Sequence, residues 1–84
     1  MGKSREQGLE NLNREDVEYA IEQIIGKNAE RDRKILYRRL IDGIRFEPLA
    51  EEFDLSVRQT KYIVYRHIDK IFMRAKKVHN QVIT

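Results

Sequence analysis

The sequence contains no cysteine, which excludes a disulfide framework and a thiolate metal site and suits a reducing compartment. It has one proline and four glycines, too few for the dense turns of an all-β chain. Long apolar runs are also missing. The longest, residues 62–65, has four residues, against the roughly 20 a membrane-spanning helix needs. The opening MGKSREQG lacks the apolar centre of a signal peptide, so a cytoplasmic protein is expected. No glycine-rich phosphate loop occurs. Glu51 and Glu52 have no paired base, and His67 and His79 stand 12 residues apart without a carboxylate at ligand spacing. These gaps predict a protein that is not an enzyme, with no catalytic, cofactor or metal site.

What is present suits one small helical domain. The chain has 84 residues, 40% hydrophobic and 37% charged, too apolar for a disordered chain but able to bury only a modest core, so a partner subunit is plausible. The net charge of +3 is unevenly spread. Residues 1–54 carry ten Lys/Arg against thirteen Asp/Glu, and residues 55–84 carry seven Lys/Arg against Asp69 alone. A basic segment of this kind is the footprint of a polyanion partner, or simply a solvated helix face; its placement decides.

Residues 1–12 are polar and without a period, and read as a flexible arm. From 13 to 84 a single helical domain is expected. Asn13 predicts an N-cap with Glu15 and Asp16 in the first turn. Val17, Ala20, Ile21, Ile24 and Ile25 then follow the spacing of one buried helical face. Gly26 predicts a left-handed stop. The opposite face, with Glu15, Glu18 and Glu22, is acidic and should point away from DNA. A second helix is expected from an Asn28 cap to about Asp42, burying Ile35, Leu36, Leu40 and Ile41 with Ala29 and Tyr37 beside them, and ending at Gly43. Arg31, Arg33, Lys34, Arg38 and Arg39 surround that stripe, as a solvated face or with one or two phosphate contacts among them.

Residues 46–65, FEPLAEEFDLSVRQTKYIVY, predict a helix-turn-helix. Pro48 fits the first turn of a short helix. The period breaks at Asp54-Leu55-Ser56, a joint of the right length, where Asp54 tolerates positive φ. Ser56 and Gln59 form a capping box for a final helix running to about Lys77. Ala50 is small enough for close helix approach, and Leu49, Phe53, Leu55 and Ile63 can lock the pair. Arg58, Lys61, Tyr62 and Tyr65 fall opposite Ile63 and Thr60, with Val57 at the edge. Such a face suits the major groove: Arg58 for guanine, Gln59 for adenine, Lys61 and Arg66 for phosphates, and Tyr62 for a thymine methyl or phosphate. Backbone N–H groups at Val57 and Arg58 can also bind phosphate. Thr60 is the weak point, since a larger apolar residue there would lock the core better.

The run RDRKILYRRLIDGIRFEPLAEEFDLSVRQTKYIVYR, residues 31–66, resembles region four of bacterial sigma factors. The likeness lies in the RDRKIL helix, the glycine before the short helix, the LAEEF-D-LS joint and the long basic last helix, a pattern shared with small stand-alone regulators of phage and mobile-element type. The resemblance implies a sequence-specific double-stranded DNA-binding transcription regulator that reads a −35-type element through Val57, Arg58, Lys61, Tyr62 and Arg66, with RNA polymerase as a possible partner. Val57 and Tyr62 stand where housekeeping members carry polar base-reading side chains, so the housekeeping −35 sequence is not the expected site. No stretch of these 84 residues is long enough for the part that melts the −10 element, so a stand-alone regulator or one half of a split factor is expected.

Val64, Ile68, Ile71, Ala75, Val78 and Val82, widened by Phe72, form a heptad stripe. It can pack on helix 13–25 within one monomer or provide a homodimer seam. The competing expectation is a protein-interaction module that binds RNA polymerase or a sigma-like chain through this stripe, with weak DNA affinity.

Overall fold

The computed structural model describes residues 12–26 and 29–83, with side chains as far as Lys77. Among these residues all regular structure is helical, with no strand. Helix α1 spans Arg14–Ile24, α2 Glu30–Leu36, α3 Phe46–Glu52 and α4 Val57–Ile83. This is the all-α, four-helix arrangement expected from the spacing of apolar residues, with a helix-turn-helix formed by α3 and α4. The predicted arm (residues 1–11 of it), the Asn28 cap and the side chains of Val78, His79 and Val82 lie outside the described residues.

The last helix supplies the frame. Val64, Ile68, Ile71 and Ala75 are all fully buried, in one cluster with Val17, Ala20, Ile21 and Ile25 from α1 and its C-terminal end. Each full burial of a Val or Ile is worth about 1.5–3 kcal/mol before entropy. The stripe is therefore used inside the monomer, and these four positions offer no seam to a second copy. α2 adds Ile35 and Leu36, and α3 adds Phe46 and Leu49, to the same cluster. α4 itself runs to Ile83, past the expected end near Lys77, since no Gly or Pro interrupts it.

Two predicted helix ends differ in detail. Asn13 has the extended backbone of an N-cap, and its carbonyl accepts the Val17 N–H at 3.2 Å, but its side chain makes no cap bond. α1 stops at Ile24 because Ile25 turns to an extended conformation (φ −102°, ψ 113°). That turn keeps Ile25 in the core, 3% exposed. Gly26 is consequently not the left-handed stop that was expected.

The second predicted helix is not one regular α-helix. After Leu36 the chain widens into a π-helical turn, Tyr37–Ile41, closed by Asp42 N–H to the Tyr37 carbonyl at 3.2 Å and Ile44 N–H to the Arg38 carbonyl at 3.0 Å. Such turns are rare and need compensation. Here Tyr37 donates its hydroxyl to Glu22 at 2.8 Å, Arg38 grips Glu52 of α3 with two nitrogens, and Arg39 donates to the Ile44 carbonyl at 3.0 Å. Gly43 then ends the segment at φ +71°, as expected.

The two glycines give opposite expectations. Neither has an atom within 4 Å of an added Cβ, so backbone conformation alone decides. Gly43→Ala should cost about 1 kcal/mol, the penalty for a left-handed L-residue. Gly26→Ala should instead stabilise by about 0.4–1 kcal/mol through the unfolded chain. Urea denaturation of both variants checks the pair; equal signs would contradict it.

Candidate nucleic-acid interface

Four residues, 53–56, separate α3 from α4. Asp54 takes the left-handed conformation at φ 55°. The Asp54 N–H reaches the Glu51 carbonyl at 3.2 Å, and the Leu55 N–H reaches the Ala50 carbonyl at 2.8 Å. This bond pair is a Schellman stop, which satisfies carbonyls that a helix end otherwise leaves unpaired. Ser56 then starts α4. Its Oγ accepts the Gln59 N–H at 3.0 Å, while Gln59 Oε1 accepts the Ser56 N–H at 3.0 Å. This is the predicted capping box, complete in both directions.

Thr60 is not the defect that its polarity suggests. It is fully buried, and its hydroxyl donates to the Ser56 carbonyl at 2.9 Å. The burial therefore leaves no polar group unmet. Ala50 is buried on α3 at 3% exposure, as close helix approach requires.

The predicted contact residues divide into two groups. Arg58, Gln59, Lys61, Tyr62 and Arg66 are exposed on the first turns of α4, whereas Val57 and Tyr65 are half-buried against the core. Tyr65 lies 5.8 Å from the Phe46 ring. Arg39 sits over the same ring at 4.0 Å and Lys61 at 5.7 Å. Cation–π contacts of this kind contribute about 0.5–2 kcal/mol each. Arg39, Phe46 and Tyr65 thus brace the start of α3 against α4, a cluster that sequence spacing did not reveal. Gln59 has its carbonyl oxygen in the cap, so bidentate pairing with adenine, which uses that oxygen, competes with the box.

A groove of about 380 Å³ runs beside the exposed face. Arg58, Gln59, Tyr62 and Arg66 line one side and Arg31 and Asp32 of α2 the other, with Leu55 and Ile63 also lining it. Arg66 also stands 5.8 Å from the Tyr62 ring centre. Among the basic residues of the second predicted helix, Arg31 therefore reaches the groove, where it pairs with Asp32 at 3.4 Å. Arg38 is instead tied to Glu52 and Asp42, Arg39 to the Phe46 ring, and Lys34 pairs with Glu30 at 3.1 Å. The acidic residues Glu15 and Glu22 are exposed on α1, which packs behind α4 on the side away from Tyr62.

No family model matches the chain, and no curated protein or solved structure matches it. Any assignment of function must then come from the chemistry of the site.

His67 stands 3.8 Å from Asp32, one of the residues lining the groove. Burial, then the neighbouring charge of Arg66, and also Lys70, push its imidazole below the ordinary 6.5, with Asp32 opposing. A histidine with a depressed folded-state pKa stabilises above its unfolded pKa, and the contribution is lost as pH falls through the folded value. The melting temperature should drop as pH falls below about 6.5, the ordinary histidine value, and His67→Gln should flatten that drop. An unchanged profile in the variant would assign the dependence to other groups.

Proposed function

We propose that this chain is a sequence-specific double-stranded DNA-binding regulator of transcription, acting in the cytoplasm, with the first turns of α4 in the major groove. One observation carries the assignment: Arg58, Lys61, Tyr62 and Arg66 stand exposed together at the start of a helix whose direction is set by the Asp54 turn and the Ser56–Gln59 box. A major groove about 12 Å wide admits a helix of this kind. Arg58 is placed for a guanine O6/N7 pair, and Lys61 and Arg66 for phosphates on either side. Arg31, across the groove from Arg66, adds a cation that the backbone can meet. The N–H groups of Val57 and Arg58 favour a phosphate at the helix start.

The resemblance to sigma region four supports the same role and adds RNA polymerase or a sigma-like chain as a candidate partner. The alternative of an interaction module acting through the heptad stripe has less support, because Val64, Ile68, Ile71 and Ala75 are wholly buried within the monomer.

Selection from a random duplex pool at two salt concentrations should return a defined site whose affinity falls steeply with salt. Arg58→Ala should weaken binding by about 1–3 kcal/mol and relax preference at one base pair. Lys61→Ala should weaken all sequences alike and lower the salt slope by about one. Unchanged duplex binding in both variants would exclude this face as the reader.

A further inference from the structure

Three large hydrophobic side chains are exposed among the described residues: Tyr19 at 51%, Tyr62 at 65% and Met73 at 70%. Tyr62 belongs to the proposed reading face. The other two are set in rims of opposite charge. Tyr19 stands on the outer side of α1 among Glu15, Glu18 and Glu22. Met73 lines a groove of about 350 Å³ between α4 and the end of α1, with Lys70, Arg74, Lys77 and Ile24.

The two patches share one spacing. On α1 it runs 15, 18, 19, 22, and on α4 it runs 70, 73, 74, 77, each a single helical face of i, i+3, i+4 and i+7. Laid antiparallel, Glu15 meets Lys77, Glu18 meets Arg74, Tyr19 meets Met73 and Glu22 meets Lys70. Three opposite-charge pairs then surround one methionine–aromatic contact, a favourable pairing in its own right. Parallel docking would set Glu18 against Met73 and Tyr19 against Arg74, so the antiparallel arrangement fits better. The acids are only lightly engaged: Glu18 pairs with the exposed Arg14, and Glu22 accepts the Tyr37 hydroxyl through Oε2.

We infer that the outer face of α1 in one molecule docks antiparallel into the α4 groove of a second copy. The two patches of one chain cannot meet, because Val17, Ala20 and Ile21 turn the opposite side of α1 toward the core. Each molecule offers one acidic and one basic patch, so the contact is head-to-tail and builds a ring or an open chain rather than an isologous pair. Exposed charge pairs make the association weak and sensitive to salt. It requires no DNA and stands independently of the proposed reading of α4.

Charge reversal tests it by sedimentation velocity on the full chain. Wild type should associate at up to about 1 mM protein in about 10 mM salt, where charges still act over ~30 Å, and dissociate as salt rises. Glu15→Lys and Lys77→Glu should each be monomeric alone, because each sets like charges opposite one another. Mixing the two single variants, or combining both changes in one chain, should restore association. A wild-type chain that stays monomeric under these conditions overturns the proposal and leaves the basic groove to an acidic protein or to DNA phosphate. Association that survives the single reversals, or is not restored by the mixture, overturns it as well.

Discussion

The burial of one stripe on α4 governs the rest of the molecule. Val64, Ile68, Ile71 and Ala75 are closed off completely by the surrounding elements. Once that face is committed, the helix can present only its other side, and Arg58, Tyr62 and Arg66 follow from the helical period. A chain of this size has little core to spare, so α4 is at once the main source of apolar burial and the carrier of the exposed basic face. The N-terminal turns are then fixed from the other end, by the Schellman stop and the capping box. Their side chains are positioned by groups that do not themselves face outward.

Electrostatics is divided in a similar way. Much of the basic charge on α2 and the π-helical turn is used internally: Arg38 on Glu52 and Asp42, Arg39 on Phe46 and the Ile44 carbonyl, Lys34 on Glu30. Each exposed pair is worth little alone, roughly 0–1 kcal/mol. Together they connect the π turn to both ends of α3, with Phe46 near its start and Glu52 at its last turn. The cations at the start of α4 follow a different logic, since that helix carries Asp69 as its one acid. The basic balance of the C-terminal segment therefore has consequences at the surface, while that of residues 31–39 mostly holds the fold together.

Features set by local chemistry could be read from the sequence. Asp54 as the left-handed residue, Gly43 as a stop, Pro48 in a first turn and the Ser56–Gln59 box all depend on side chains a few positions apart. Features set by distant packing could not. The π turn has no sequence mark of its own, because its bonds are compensated by Glu22 and Glu52, 15 and 14 residues away. Gly26 looked like a stop, but the core claimed Ile25 first. Tyr65 carries a polar tip at an apparently outward position, and only the arrival of Phe46 beside its ring makes it half-buried. Thr60 looked like a flaw until its hydroxyl found the Ser56 carbonyl. The candidate face was accordingly legible as a list of residues, but not as a division between those that project and those that brace.

The π turn also fixes the length of this part of the chain. A π-helical turn holds one residue more than an α-helical turn, so it absorbs an extra residue while the helix on either side keeps its phase. Removing a single residue between Tyr37 and Ile41 would let the segment relax to ordinary α geometry, with better hydrogen bonds. Five residues of π geometry and four of α geometry turn through nearly the same angle, so the side chains before and after the deletion would keep their phase. What would go is the contact of the residue removed: Glu22 for Tyr37, Glu52 for Arg38, or the Phe46 ring for Arg39. The locally less favourable helix is thus the one that has room for Tyr37, Arg38 and Arg39 together, each with its contact to another element.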